Sequence, residues 1–206
     1  MKKIKNWLLI FAGCIAAQAV SAQSRPPLSI DINYSIAQPL GSLKDYADKT
    51  SFRGWSAGLS YMLNDRLSVG VRSGYQDFYE RIPRAVYPDK QGDVSAVQSR
   101  TLQVIPLQAT VGYAFTPATS PVIPYGVLGV GAANMNYEKY WGEFVEKKNS
   151  WQFMVSPEVG INVPFGRYSP VMFNANVRYN YSPYKYNDIT NYNTVQANVG
   201  IKVHIH

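Results

Sequence analysis

The sequence contains little of what soluble enzymes and helical membrane proteins are built from. It has 1 cysteine and 2 histidines among 206 residues, and only 16% of its residues are charged. No run in the body of the chain approaches the roughly 18 consecutive apolar residues that a membrane-spanning helix requires. These absences exclude a disulfide-stabilised scaffold and a bundle of membrane helices.

The first residues have the composition of a signal peptide. Lysines precede an apolar run that is too short to span a bilayer, and small residues follow it. We predict cleavage after Ala22, with a second possible cut after Ala19, which gives a signal peptide over residues 1–22 and one domain over 23–206. An uncleaved anchor, a buried helix, or a lipid attached to Cys14 are the alternatives.

The remaining composition indicates a β-protein. Tyrosine occurs 16 times and glycine 15 times, and hydrophobic residues make up 46% of the chain, although the mean hydropathy is -0.19. The apolar residues must therefore be spread along the chain by alternation. The formal charge of +7 falls to +4 without the three signal lysines, and the other basic residues are scattered, so we expect no nucleic-acid partner.

Eight segments alternate apolar and polar residues with period two, which is typical of strands. Their second face carries mostly glycine, serine, asparagine and glutamine, whereas a water-facing sheet would carry many lysines and glutamates. Small and amide side chains fit the narrow lumen of an eight-stranded barrel. We therefore predict an all-β fold, an eight-stranded antiparallel up-and-down transmembrane β-barrel. The segments are 28–36, 55–63, 67–75, 105–115, 128–133, 151–165, 171–181 and 195–205.

The connections alternate in length, as they do in barrels with short periplasmic turns and long outer loops. Both termini would then lie in the periplasm. Pro106 and Pro157 fall inside predicted strands, where proline removes a ladder hydrogen bond, so we expect β-bulges at both. The predicted long loops are 39–53, 80–99, 136–149 and 182–192, and the short turns are 64–65, 116–121 and 166–169.

Aromatic residues concentrate near the ends of the predicted strands. Amphipathic rings prefer the membrane–water interface, which predicts two girdles of aromatic residues. The alternative is that these aromatic residues are ordinary core residues. The predicted outer girdle is Trp55, Tyr75, Trp151, Tyr179 and Tyr181, and the predicted inner girdle is Tyr61, Tyr113, Phe115 and Phe165.

Three segments carry a resemblance to known proteins: Ala-Gln-Pro-Leu-Gly-Ser at 37–42, Gly-Trp-Ser-Ala-Gly-Leu-Ser-Tyr at 54–61, and the glycine-rich stretch at 124–131. With them, residues 26–206 resemble the outer-membrane β-barrel superfamily of small OmpA-, OmpX- and OmpW-like proteins. The resemblance implies a bacterial outer membrane location, contact with outer-membrane lipid and lipopolysaccharide, and insertion by the barrel-assembly machinery. Such barrels often end in an aromatic residue, whereas this chain ends in His206.

The sequence offers no set of catalytic residues. The only histidines, His204 and His206, fall at the periplasmic end of the last strand, far from the outer rim where a lipid-modifying barrel enzyme would need one. Their i, i+2 spacing permits metal chelation, but an ordinary strand end explains it equally. We expect no catalytic residue, no metal and no cofactor, and we keep a lipid-modifying enzyme as the least favoured alternative.

Five charged residues share the lumen face of the predicted strands: Asp31, Arg72, Glu158, Arg178 and Lys202. Isolated charges in a narrow lumen are costly, so we expect them to pair. Glu158 and Arg178 lie on adjacent strands, and Asp31 and Lys202 lie on the strands that meet on closure. Such pairs predict a filled, rigid lumen, with a narrow gated channel for ions or small solutes as the alternative.

The predicted outer loops carry the remaining candidates. Tyr137, Tyr140, Trp141 and Phe144 give the 136–149 segment an aromatic character that suits binding of an extracellular protein or glycan. Interfacial anchoring would use the same residues. The sequence therefore favours a non-enzymatic structural or surface-interacting protein over a narrow porin-like channel.

Overall fold

The computed structural model describes residues 28–89, 92–117, 119–141, 144–166, 169–187 and 189–205. The predicted signal peptide, Cys14 and His206 lie outside the described residues.

Eight strands close into a single antiparallel barrel, so the predicted fold class is confirmed. Each strand pairs with its neighbours in sequence, and the last strand pairs with the first in one unbroken register from Leu28 opposite Ile205 to Leu40 opposite Asn193. The elements are β1 (Leu28–Leu40), α1 (Ser42–Tyr46), β2 (Ser51–Met62), β3 (Leu67–Asp89), β4 (Gly92–Ala114), β5 (Ile123–Trp141), β6 (Phe144–Pro164), β7 (Val171–Ser182) and β8 (Tyr192–Ile205).

The alternation predicted from the sequence sorts side chains between the two faces of this sheet. Large apolar residues such as Ile32, Leu107 and Val159 point outward and are 56%, 57% and 63% exposed. Their inward neighbours are serine, asparagine and glutamine, most of them buried. An apolar band around a polar interior is the surface of a barrel that stands in lipid. No helix in the described part of the chain is long and apolar enough to cross a membrane.

The predicted girdle residues lie on the outward face. Trp55 is 50% exposed, and the strand registers place it beside Tyr34 on β1 and Tyr75 on β3. Eight of the nine are at least 39% exposed and Tyr75 is partly buried. The alternative reading as core aromatics therefore does not describe these positions.

Two of the predicted long loops are wrong, because the strands continue through them. β3 and β4 remain paired from Glu80 opposite Arg100 to Asp89 opposite Gly92, and β5 and β6 remain paired out to Trp141 opposite Phe144. Continued pairing satisfies the backbone groups that a loop would leave to water. The predicted loop over 39–53 contains α1, and the one over 182–192 is largely irregular.

The bulges predicted at the two prolines are also wrong. The register between β3 and β4 is the same before and after Pro106, and that between β6 and β7 is the same on both sides of Pro157. Each ladder only skips the pairs beside its proline, and Ser73 donates its hydroxyl to the Pro106 carbonyl at 2.9 Å. Register shifts occur instead between Ser35 and Ala37 and between Ile82 and Ala85.

The apolar core lies at one end of the barrel rather than in its middle. We call this end the head; it comprises α1, the extended parts of the β3–β4 and β5–β6 hairpins, and the described residues of 184–192. Its inward side chains, including Phe78, Leu102, Met135 and Tyr137, are fully buried. The opposite end carries the short turns and is called the turn end.

Candidate functional site

A buried cluster of charges crosses the middle of the lumen. Glu158 on β6 lies directly opposite Arg178 on β7, whose Nε donates to Glu158 Oε2 at 2.8 Å. Arg72 reaches the same oxygen from β3, with its Nη1 2.8 Å away. The three residues are 4%, 2% and 7% exposed, so the contacts are shielded from bulk water. The Glu158 carboxylate thus connects β6 and β7 with β3 across the lumen.

The second carboxylate oxygen of Glu158 is also engaged. Tyr125 on β5 donates its hydroxyl to Glu158 Oε1 at 3.3 Å, and that hydroxyl accepts from Asn174 Nδ2 at 2.7 Å. A buried carboxylate offsets its desolvation only when several donors satisfy it, as they do here. The cluster therefore couples β3, β5, β6 and β7 through one side chain.

The second predicted pair behaves differently. Asp31 and Lys202 face each other in the β1–β8 register, but no ion pair joins them within 4.0 Å in the described part of the chain. Asp31 Oδ2 accepts from Asn33 Nδ2 at 3.0 Å. Its carboxylate leans over Gly58, where an added Cβ would lie 2.6 Å from Asp31 Oδ1. Glycine at that position leaves the room that the Asp31 side chain occupies.

A layer of amides and hydroxyls fills the lumen on the head side of the charges. Gln108 donates to Ser156 Oγ at 2.8 Å, and Ser156 donates to Asn180 Oδ1 at 2.8 Å. The chain continues from Asn180 to Thr194 and Gln196, from Gln196 to Gln76, and from Gln76 to Ser51. The network draws on six of the eight strands, so it spans the lumen instead of lining it.

The head closes the lumen above this layer with apolar side chains. We call this group the cap. Tyr46 of α1 packs on Tyr137, with ring centroids 4.9 Å apart, and donates its hydroxyl to the Glu138 carbonyl at 2.9 Å. Burial raises the pKa of the Tyr46 phenol well above its ordinary value. The cap consists of Leu43, Tyr46, Phe78, Leu102, Val104, Met135, Tyr137, Met154, Tyr184, Ile189 and Tyr192, each at most 2% exposed.

Specific polar contacts hold α1 over the barrel. Arg100 Nη1 donates to the carbonyls of Asp45 and Tyr46 at 3.2 and 3.1 Å, where the end of α1 leaves acceptors without helical partners. Ser42 Oγ donates to the Asn191 carbonyl at 3.1 Å and accepts from the Asn191 N–H at 3.2 Å. These hydrogen bonds therefore connect α1 to β4 and to the segment before β8.

The turn-end half of the lumen is open. A cavity of about 100 Å³ extends from that end to the charge cluster and is lined by Asp31, Arg72, Tyr125, Glu158 and Lys202, among others. We call it the vestibule. On the head side, a void of about 10 Å³ lies beside Arg178 and Asn180, which is room for about one water molecule. In the described part of the chain, the vestibule therefore lies toward the turn end and the buried cap side chains lie toward the head end.

The outer surface of the head carries aromatic side chains and lysines at the β5–β6 tip. Phe144 and Val145 are 51% and 48% exposed, and Trp141 is partly exposed. The Lys139 ammonium lies 5.5 Å from the Trp141 ring centroid, which is within cation–π range. Tyr137 is fully buried in the cap, so its prediction as a binding residue is wrong.

A polar cluster stiffens the base of this tip. Glu138 accepts from the Tyr140 hydroxyl at 2.8 Å and lies 3.1 Å from the Lys147 ammonium. The Tyr140 hydrogen bond and the Lys147 charge hold the pKa of the Glu138 carboxyl below its ordinary value. Lys147 also lies 5.6 Å from the Tyr140 ring centroid. Trp141 and Phe144, the last described pair of this hairpin, therefore follow a base that is held by paired strands and an ion pair.

The described histidine, His204, lies near the end of β8. His204 Nδ1 lies 2.9 Å from Ser29 Oγ at the turn end. Within the described ranges, no three residues of the His, Cys, Asp and Glu types come together to hold a metal ion.

The amides and hydroxyls of the lumen face were predicted from the sequence, whereas the cap was not, although a signal for the cap exists. Gly74 and Gln76 lie on the lumen face of β3, and the next residue on that face is Phe78. On β6, Met154 follows Ser156 and Glu158 on the lumen face in the same way. A change from polar to apolar residues on the inward face marks where these strands leave the membrane.

Comparison with known proteins agrees with this architecture. The family described as "Outer membrane protein beta-barrel domain" matches residues 7–202. The chain belongs to this family of outer-membrane β-barrels. It is an outer-membrane protein, and the apolar band described above is its lipid-facing surface. A search of curated proteins returned no match.

Solved structures share the barrel at low sequence identity. Neisserial surface protein A (NspA) is 17% identical with a TM-score of 0.62, over 89% of this chain and 100% of that chain. OprG from Pseudomonas aeruginosa is 15% identical with a TM-score of 0.48, over 87% of this chain and 95% of that chain. Ail from Yersinia pestis is 15% identical with a TM-score of 0.45, over 85% and 95%. At this identity the likeness shows the fold alone.

Proposed function

We propose that this outer-membrane barrel is a non-enzymatic, non-conducting protein that displays a rigid head for interaction at the cell surface. The observation that carries the proposal is the cap, whose side chains are at most 2% exposed across the head end of the lumen. With the turn end toward the periplasm, the closed end faces outward. The barrel then serves as an anchor, and the head is the part that meets partners.

A narrow channel is the runner-up, and two barriers oppose it. An ion entering from the vestibule meets Glu158, which forms ion pairs with the buried Arg72 and Arg178. Beyond them lies the cap, where four tyrosine hydroxyls are the polar groups among eleven buried side chains, so an ion would lose its hydration and find few polar partners. Rearranging the ion pairs alone would leave the cap in place. A gated pore would therefore need the head itself to open.

Conductance across a planar bilayer tests this proposal. The wild-type protein is expected to be silent, and Glu158→Ala is expected to be silent too, because the cap still seals the lumen. Adding Phe78→Ser and Leu102→Ser to Glu158→Ala weakens both barriers, and this triple variant is expected to conduct more than Glu158→Ala alone. Stable single-channel steps from the wild type would contradict the proposal and favour the channel.

The β5–β6 tip is the surface that we propose for binding an extracellular protein or glycan. Partly exposed aromatic rings on a paired hairpin give contact area at low entropic cost, and nearby lysines add charge attraction. Trp141 and Phe144 lie opposite each other at the end of the hairpin, so one partner can contact both.

An adhesion assay with cells that display the protein tests whether the β5–β6 tip is the binding surface. Removing both tip rings, with Trp141→Ala and Phe144→Ala, should abolish retention on arrays of host proteins and glycans. Tyr79→Ala is the control, since Tyr79 is 39% exposed on β3 and lies away from the tip. Equal retention by the tip variant and the wild type would show that the tip is not the binding surface.

A further inference from the structure

The head has two strand edges that the other strands of the barrel do not cover. β6 spans Phe144–Pro164, whereas its ladder with β7 reaches only to Val155 on the head side. β3 likewise runs past β2, because their ladder ends at Gln76. In the head, β3, β4, β5 and β6 therefore form a four-stranded sheet with an unpaired strand edge on each side.

The register shows which backbone groups of β6 face its open side. The Phe165 N–H donates to the Val171 carbonyl on the β7 side, and an antiparallel strand directs alternate residues to each neighbour. The β5–β6 register is unbroken over its whole length, so this alternation continues into the head. The N–H and carbonyl groups that point away from β5 in the head are those of Val145, Lys147, Asn149 and Trp151.

These backbone groups have no partner among the described residues. No described hydrogen bond reaches them, and all four side chains are exposed. Lysines often protect a strand edge, but those of β6 are engaged elsewhere. Lys147 Nζ lies 3.1 Å from Glu138 Oε1 on β5, and Lys148 Nζ lies 5.9 Å from the Tyr186 ring, which packs on Tyr137 of the cap. The edge is therefore open to another strand.

The β3 edge, in contrast, carries two protective features. Its register with β4 shifts between Ile82 and Ala85, and Pro83, which has no N–H, lies between them. Proteins blunt exposed sheet edges with bulges and prolines of this kind, because an unpaired edge is a template for a foreign strand. Residues 144–154 of β6 contain neither a proline nor a register shift. Only one of the two edges is therefore left suitable for pairing.

We infer that the β6 edge is a docking site for an extended peptide segment of another protein, which adds a fifth strand to the head sheet. The segment pairs through its backbone, and its outward side chains lie beside Val145 and Trp151. Because these residues are 48% and 59% exposed, apolar side chains suit the facing positions. The inference rests on the proposed function in that the head meets partners, but its surface is separate from the rings of Trp141 and Phe144.

A second copy of this chain is a poorer occupant of the edge. Two barrels in one membrane share one orientation, so their β6 strands run in the same direction and would form a parallel ladder, which is the less stable kind. Below the head, the place beside β6 is also taken by β7 in each barrel. A segment that arrives from outside the cell has neither constraint and can pair antiparallel.

Amide hydrogen exchange, measured by nuclear magnetic resonance on the purified barrel in detergent micelles, tests the inference. The probe is the acetylated and amidated peptide Glu-Thr-Val-Thr-Val-Thr-Val-Glu. Without it, the amides of Val145, Lys147 and Asn149 should exchange freely, whereas Lys148 and Ser150 are protected by pairing with β5. The peptide should protect the three free amides in a saturable way and leave the β3 edge unchanged. The same peptide N-methylated at its valines, whose N–H groups would face β6, should protect none.

Two variants of Lys147 separate the backbone from the side chain. Lys147→Ala and Lys147→Pro both remove the ammonium, but only proline removes the N–H on the open side, and proline is tolerated on edge strands. The peptide should therefore bind Lys147→Pro about 3- to 10-fold more weakly than Lys147→Ala. The tip variant with Trp141→Ala and Phe144→Ala should bind the peptide as the wild type does, so that the edge and the tip can fail separately.

Several results would overturn the inference. Protection of the β6 edge in dilute protein without peptide would show that the chain covers its own edge, and protection that grows with protein concentration would assign the edge to a second copy. A peptide that leaves these amides unprotected at its highest soluble concentration would remove the site. Equal protection of the β3 edge would show that the peptide does not select β6.

Discussion

Replacing Glu158 with glutamine should destabilise the barrel by several kcal/mol, although the change preserves side-chain shape. The nearest nitrogens of Arg72 and Arg178 each lie 2.8 Å from the same carboxylate oxygen, so they are at most about 5.6 Å apart. At an effective dielectric constant of about 20, two unit charges at that separation repel by about 3 kcal/mol. Removing one member of a buried ion pair typically costs about 3–5 kcal/mol, and we expect a loss in that range.

Urea unfolding of the barrel in lipid vesicles, in gluconate buffer, measures this loss. Tryptophan fluorescence follows the transition, and the different gel mobility of boiled and unboiled samples confirms folding. Asp48→Asn is the matched control, because it also removes a carboxylate charge from an ion pair. Asp48 lies 3.6 Å from Lys44, with both side chains more than half exposed, so its loss should cost less than about 1 kcal/mol.

The comparison between these two variants decides the argument. If Glu158→Gln costs no more than Asp48→Asn, the lumen is hydrated well enough to screen the arginines, and the cluster is not a structural lock. A second variant separates charge from shape. Adding Arg72→Gln to Glu158→Gln removes one of the repelling cations and should recover part of the loss, since neighbouring changes of this kind are not additive.

Three further outcomes follow from the cap, the strand packing and the tip. Phe78→Ala should lower unfolding stability by about 3–5 kcal/mol through a buried cavity, whereas Phe144→Ala at the exposed tip should stay within about 0.5 kcal/mol in the same urea assay. Gly200→Ala should cost about 1–3 kcal/mol because its Cβ would lie 2.6 Å from a backbone Cα of β1, while Gly166→Ala, with its nearest contact at 3.9 Å, should fold normally. Because the pKa of Glu138 is lowered, the ionised carboxylate stabilises the tip fully at any pH above the ordinary carboxyl range. This stabilisation is lost as the pH falls through the lowered pKa. Proteolysis of the tip should therefore increase in that pH range in the wild type but not in Glu138→Gln.

The wall of the barrel was predictable because lipid and lumen impose opposite demands on alternate residues. A single-residue slip would turn Ile32 inward and Asn33 into hydrocarbon, so the hydrophobic pattern fixes the register that is seen between β1 and its two neighbours. The pairing of Glu158 with Arg178 follows from the same count along β6 and β7. Where one face must be apolar and the other polar, the sequence determines the strand and the face that each residue occupies.

The extended hairpins were not predictable by the same rule, because outside the membrane the outward-facing residues no longer have to be apolar. Residues 80–84 carry charged side chains and a proline, and these have no reason to look like a membrane strand. The backbone nevertheless stays paired, and the register shift between Ile82 and Ala85 accommodates the break at Pro83. Pairing there is a matter of satisfying hydrogen bonds, which the hydropathy pattern does not report.

The cap shows that the same period-two alternation continues along a strand whose outer face passes from lipid to water. On β4, Leu107 faces lipid and Gln108 faces the lumen, whereas nearer the head Leu102 and Val104 occupy the lumen face. The apolar residues thus change sides without any change in period, because water replaces lipid outside and the head must bury a core of its own. Alternation by itself therefore identifies a strand but does not show which of its faces contacts water. The position along the strand where the apolar residues change from the outer to the inner face supplies that information. In this barrel, that position separates the membrane-spanning part of each long strand from the part that belongs to the head.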